Sequence, residues 1–173
     1  GKRLAGKGNV ILLRYNVGSE STEQREDGFL KTLANEFPGI KVISSDQYSG
    51  ITPIDAQNKA LELLNHFGDQ VNGIFTVCEP ATVGVLGALE HEQLAGKVTF
   101  IGFDPGPSLV PAMAEKKIHG LVLQDPVAMG YQSVKTLIAS LRGQPVEKRV
   151  NTGETMATPE NMADPAVAKL LDP

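Results

Sequence analysis

The chain has 173 residues, 41% hydrophobic and 21% charged, which suits one ordinary globular domain with a sizeable core. That balance excludes a disordered tail, a collagen-like rod and a disulfide-stapled miniprotein. A net charge of −4 argues against a nucleic-acid surface, and no apolar run approaches the roughly 18 residues of a membrane span.

In chain order, Val10 to Tyr15 reads as a buried strand, continuously apolar rather than alternating. A Gly/Ser-rich loop follows, then a helix whose start carries Ser21-Thr22-Glu23-Gln24, a capping-box pattern. In that helix Phe29, Leu33 and Phe37 recur at i, i+4, with Leu30 and Ala34 beside them. Lys41 to Ser45 is the second strand. Thr52-Pro53-Ile54-Asp55 opens the next helix with a cap, a proline at the first helical position and an acid in the first turn. Its inward residues are predicted to be Ala60, Leu61, Leu64 and Phe67. Gly73 to Cys78 is the third strand, and a helix over Ala81 to Leu94 turns Val85, Leu86 and Leu89 inward. Gly84 and Gly87 within it allow close packing. Val98 to Phe103 is the fourth strand, followed by a helix from near Ser108 that ends before Gly120. Leu121 to Gln124 is the fifth strand. Asp125-Pro126 opens a helix that runs to Arg142, stopped by Gly143 and Pro145. Val146 to Thr158 breaks the rhythm; its extended character fits an edge strand or a crossover. Asp164-Pro165 opens a last short helix holding Val167, Leu170 and Leu171.

The strand starts lie 23 to 32 residues apart. That spacing is too long for hairpins and fits strand–helix–strand units, hence an α/β fold with a doubly wound parallel sheet. Ligands of such sheets sit beyond the carboxyl ends of the strands. The residues to weigh are therefore 16–25, 46–52, 78–80, 104–107 and 124–126.

Arg25 is predicted in the first turn of its helix, where a cation opposes the helix dipole unless it has a use. Its guanidinium offers five donors in a fixed fork; the plain alternative is a surface ion pair with Glu23, Glu26 or Asp27. Asp104 follows Gly102-Phe103 at a strand end. It either caps the turn towards Gly106 or accepts two hydrogen bonds from adjacent hydroxyls of a polyol. Gln124 ends a strand, and its amide both donates and accepts. It suits a sugar hydroxyl, or else it is satisfied by backbone.

Cys78, the single cysteine, excludes an internal disulfide and a cysteine-based zinc site and leaves the compartment open. A catalytic thiol needs a base, yet His66, His91 and His119 all fall on helices or helix ends. A small, half-buried residue lining a cleft is the stronger reading. Glu90-His91-Glu92 lacks the second histidine of a zinc motif, and Gly6-Lys7-Gly8 precedes its strand, unlike a phosphate loop. No catalytic group, metal or cofactor is predicted. No signal peptide is visible at Gly1, and a processed or truncated product would show none.

These post-strand residues carry a resemblance. Gly18-Ser19 through Ser21-Thr22-Glu23-Gln24-Arg25-Glu26-Asp27-Gly28-Phe29, then Asn72-Gly73-Ile74-Phe75, Gly84 to Leu89, and Gly96-Lys97-Val98 to Ile101-Gly102-Phe103-Asp104 keep one order. Val122-Leu123-Gln124-Asp125-Pro126 with Met129-Gly130-Tyr131 continues it. Nearly the whole chain resembles the sugar-binding proteins of ABC transporters, of the ribose-binding, type 1 periplasmic class. Each motif alone is weak; in this order they are specific.

The resemblance implies that Arg25, Asp104 and Gln124 hydrogen-bond a sugar. The family often has asparagine where Cys78 stands, followed by an acid that Glu79 matches. Cysteine cannot make the same amide contacts, which implies a specificity shifted from ribose. The family has two lobes of similar size joined by three crossings, and this chain resembles the C-terminal part. Residues 1–120 would be the second lobe, 121–157 a segment given to the first lobe, and 158–173 the return to the second. The implied partners are a sugar or sugar alcohol, an ABC permease and the missing N-terminal lobe. Nucleic acid and direct membrane insertion are not implied. The implied location is periplasmic, or extracellular and associated with the membrane through the transporter. Two other functions stay open at this point. One is the effector-binding domain of a lactose-repressor-like regulator, which shares the fold; the other is an enzyme on a doubly wound sheet using Cys78.

Overall fold

All five predicted strands form, and they run parallel to one another. They are β1 (Gly8–Leu13), β2 (Ile40–Ser44), β3 (Gly73–Thr76), β4 (Thr99–Phe103) and β5 (Gly120–Gln124), in a computed structural model that describes residues 1–172. The 146–158 stretch resolves as an edge strand, β6 (Glu154–Ala157), antiparallel to β5. The order across the sheet is β2-β1-β3-β4-β5-β6. Chain order therefore reverses between β1 and β3, where open α/β sheets form their crevice.

The helices are α1 (Glu20–Glu36), α2 (Pro53–Phe67), α3 (Glu79–His91), α4 (Leu109–Ala114), α5 (Pro126–Leu141) and α6 (Pro165–Leu171). Proline opens α2, α5 and α6, as its fixed φ and missing N–H allow. Thr52 accepts the Asp55 N–H at 3.2 Å, and Asp125 accepts that of Ala128 at 2.8 Å. The predicted capping box at Ser21 does not form. Gly18 takes a left-handed turn (φ 85°), so the helix opens at Glu20 with Ser19 as its cap residue. Glu23 reaches back to the Gly18 N–H at 3.0 Å instead. This earlier start moves Arg25 from the first turn to the second. Likewise α3 opens at Glu79 and closes at His91, not over Ala81 to Leu94.

Alternate residues of β1 feed two cores, because successive side chains point to opposite faces. Ile11 and Leu13 join Ala60, Leu64, Val85, Leu89, Phe100 and Leu121 under α2 and α3. Val10 and Leu12 face α1, with Leu33 and Ile40 or with Phe75 and Phe103. Among the α2 residues, Ala56 and Leu63 are buried along with Ala60 and Leu64; Leu61 and Phe67 are only partly covered. Gly84 lets α2 and α3 touch, since a side chain there would collide with the Pro53 carbonyl and the Ala56 methyl. On the opposite face the Phe29 and Phe75 rings stack at 4.6 Å. An open groove of about 810 Å³ runs beside α1 over this face, from Phe75 and Ile101 to Arg25 and Gln124.

No residue of α5 is buried. Leu137 and Leu141 are 59% and 79% exposed, and Val127, Tyr131 and Val134 also face out. The segment assigned by resemblance to another lobe, 121–157, begins and ends on strands of this sheet. Leu121 pairs with Gly102 and with Ala157. Only the stretch between β5 and β6 leaves the sheet. No helix among the described residues is long and apolar enough to cross a membrane.

Candidate functional site

The carboxyl ends of β3, β4 and β5 and the second turn of α1 converge on one polar cluster. Arg25 projects from α1 across the end of β3. Its Nη1 donates to the Val77 carbonyl at 2.8 Å and its Nη2 to Gln124 Oε1 at 3.0 Å. The guanidinium carbon lies 4.0 Å from the centre of the Phe103 ring, a cation–π contact. Gln124 passes the chain on, its Nε2 donating to Asp104 Oδ1 at 2.6 Å. Three of the five predicted residues therefore form one bonded series: donor, amide, acceptor.

The surface ion pair offered as the alternative for Arg25 is absent. Glu26 faces Arg14 at 3.3 Å and Asp27 takes Lys31 at 2.8 Å. Asp104 does not cap towards Gly106 either; it takes the Gln124 amide. Its backbone sits in the left-handed region, φ 64°, and its N–H donates to the Val122 carbonyl at 2.9 Å. Such a backbone in a non-glycine residue is uncommon and aims the carboxylate at the cleft side of the strand end. Gln124 is satisfied by side chains, not by backbone.

Cys78 caps α3 and is 8% exposed. Burial pushes its thiol up from the ordinary value, outweighing the Ala81 N–H and the nearby Arg25 charge. A thiol held neutral is a poor nucleophile. The histidines are occupied elsewhere: His91 meets Glu92, His66 packs on Phe67, and His119 Nδ1 accepts the Phe100 N–H. His119 lies between α4 and β5 rather than on a helix, at the far end of the sheet from Cys78. Glu79 makes no hydrogen bond to the cluster; it stands beside the 104–107 loop, where a side chain at Gly106 would approach its Oε1. Among the described residues, no three His, Cys, Asp or Glu side chains gather as a metal site.

Phe103 and the Val77 carbonyl are site groups that the sequence reading missed. Phe103 reads as the last apolar residue of a strand, and only the fold lays Arg25 across its ring. A main-chain carbonyl leaves no signal in the sequence.

A family model described as "Periplasmic binding protein domain" matches residues 1–145. A xylitol-binding protein of Mycolicibacterium smegmatis is 27% identical over 145 residues, covering 84% of this chain and 41% of that protein. The ribose import binding protein of Escherichia coli is 30% identical over 148 residues, covering 84% of this chain and 48% of that protein. The chain thus spans about half the length of these curated relatives. A carbohydrate transporter solute-binding protein from Agrobacterium radiobacter, solved with D-arabinose, superposes with a TM-score of 0.90 at 32% identity; the match covers 99% of this chain and 59% of that one. With its mostly parallel sheet and its strand-end polar cluster, the chain belongs to the periplasmic binding protein domain family.

Proposed function

We propose that this chain is one half of a solute-binding protein that captures a neutral sugar or sugar alcohol and hands it to an ABC permease in the membrane. The observation that carries the reading is the series Arg25–Gln124–Asp104 beside the Phe103 ring. A fixed donor fork, an amide that donates and accepts, and a carboxylate acceptor suit adjacent hydroxyls, each of which donates once and accepts. The cluster's plus and minus charges compensate, which disfavours an anion. Arg25, Asp104 and Gln124 contact the ligand, and Cys78 and Glu79 form the neighbouring wall. Binding breaks no bond. Selectivity comes from leaving buried polar groups unpaired when a hydroxyl is missing.

The groups belong to one side of a cleft. Residues 1–124 and 154–172 form this lobe, and the stretch 125–153 with α5 lies on a second lobe. The uncovered apolar face of α5 supports that division, because a helix of this length needs its apolar side buried. Its membership of the periplasmic binding protein domain family supports a location in the periplasm or at the outer surface of the cell membrane. Nothing in the cluster or in the relatives favours a repressor's effector domain.

Calorimetric titration of the full-length protein tests the reading, with D-ribose, D-arabinose and xylitol set against inorganic phosphate and amino acids. Binding of one or more polyols with no response to phosphate is expected. Preference for phosphate or an amino acid would overturn it.

A further inference from the structure

We infer that Thr82 is a positioning residue: its hydroxyl sets the gap between the ends of β3 and β4, and with it the spacing of the binding groups those strands carry. This rests on the sugar-site reading of the Arg25–Gln124–Asp104 cluster.

The β3–β4 ladder stops at Phe75↔Ile101. Past that pair the two strand ends have no paired register with each other, and both carry site groups. Val77 and Cys78 lie on the β3 side, Phe103 and Asp104 on the β4 side. Thr82, in the first turns of α3, is fully buried between them.

A hydroxyl has one proton to give and two lone pairs to accept with. All three are used. Thr82 Oγ1 donates to the Cys78 carbonyl at 2.8 Å and accepts the Phe103 N–H at 3.0 Å. The Thr76 hydroxyl, 2.9 Å away, fills the remaining place as a donor. One oxygen thus ties the last residue of β3, the cap of α3 and the last residue of β4. It stands in for the strand-to-strand bond that the Phe103 N–H has lost.

The opposite wall is built for it. A side chain at Gly102 would strike the Thr82 methyl. Gly102 and Thr82 are therefore fitted to each other, and Phe103, the floor beneath Arg25, follows directly. The Val77 carbonyl that holds Arg25 lies between Thr76 and Cys78, both tied to Thr82. The main-chain path from that carbonyl to Asp104 therefore runs through one hydroxyl, beside the side-chain path through Arg25 and Gln124.

The test uses the full-length protein with Thr82→Val and Thr82→Ser. Valine keeps the volume and removes the oxygen, leaving the buried Phe103 N–H without its partner. Two readouts are taken: affinity for D-ribose, D-arabinose and xylitol, and amide exchange at Phe103 and Asp104 compared with Ile11 and Leu12 in β1. Thr82→Val is expected to weaken the bound sugar roughly 10-fold and to speed exchange at Phe103 and Asp104 while β1 stays protected. Thr82→Ser is expected to restore both. Exchange that rises equally in β1, or that is unchanged at Phe103, would overturn the inference. So would wild-type affinity in Thr82→Val. If the wild type binds none of the three polyols, the sugar reading fails, and the exchange comparison still decides whether Thr82 holds the strand ends.

Discussion

Asp104 combines two features that substitutions can separate: a left-handed backbone at φ 64° and a carboxylate 2.6 Å from the Gln124 amide. Asparagine tolerates that backbone region; alanine does so at a cost of about 1 kcal/mol. Asp104→Asn is therefore expected to keep the fold but weaken sugar binding about 10- to 100-fold, the worth of one charged hydrogen bond. Asp104→Ala should lose at least as much and also unfold more easily. Calorimetry and urea midpoints on both variants separate the two effects, and wild-type affinity in Asp104→Asn would reduce Asp104 to a turn residue. Glu26, next to Arg25, is 1% exposed. Burial raises its carboxyl above the ordinary 4.5, against the pull of Arg14 and the Tyr15 N–H, and with Glu23 and Asp27 adding in the same direction as burial. A carboxyl raised by folding binds its proton more tightly in the folded state than in the unfolded chain. Its contribution to stability is thus full below about 4.5 and is lost as pH rises through the raised value. The stability of wild type minus that of Glu26→Gln should fall with rising pH across that window in urea melts; a difference that rises would contradict the burial account. The sequence put Asp104 and Gln124 at strand ends and Arg25 near the start of the helix after β1, but could not join them. Arg25 and Gln124 are 99 residues apart, and Gln124 and Asp104 are 20 apart. Side-chain pairing over such separations is decided by sheet order.

At the scale of elements, the legible signals were those with a local cause. Continuous apolar runs marked strands buried on both faces, and proline or a Thr/Asp cap marked where α2, α5 and α6 open. The start of α1 is ambiguous in sequence because Ser19, Ser21 and Thr22 all have the chemistry of a cap, and the turn at Gly18 makes the choice. Strand order was not legible, since β2 and β3 flank β1 through long-range pairing. β6 carries no clear sequence signature because its exposed side holds Glu154 and Met156, with little apolar pattern. The α2–α3 contact yields a paired test. Gly84→Ala improves helix propensity yet drives a methyl into the Pro53 carbonyl, which cannot swing aside. A net destabilisation of roughly 1–3 kcal/mol is expected, as for an overpacked core. Gly28→Ala in α1 meets nothing within 4 Å and should stabilise by about 0.5–1 kcal/mol. Urea unfolding of both variants checks the contrast; equal effects would show that propensity, not packing, governs position 84.

For the whole molecule, the exposed face of α5 decides how the 173-residue chain behaves alone. Apolar helix faces of this kind mark an interface or an aggregation liability. The isolated chain is expected to elute above its 18.4 kDa mass, and Val134→Glu with Leu137→Lys should return it towards monomer. Size exclusion with light scattering measures both, and a wild-type monomer would mean that α5 finds cover within its own chain. The pairing Gln124↔Glu154 has a mechanical meaning as well. The stretch carrying α5 departs from β5 and rejoins at β6, two strands bonded side by side, so its two ends share one narrow pivot. A helix of 16 residues is a lever about 24 Å long. A 10° turn at that pivot would sweep its far end through about 4 Å, while Gln124 itself stays paired with Glu154 and hydrogen-bonded to Arg25 and Asp104. The pivot thus turns small backbone rotations into large displacements on one side and almost none at the Arg25–Gln124–Asp104 cluster.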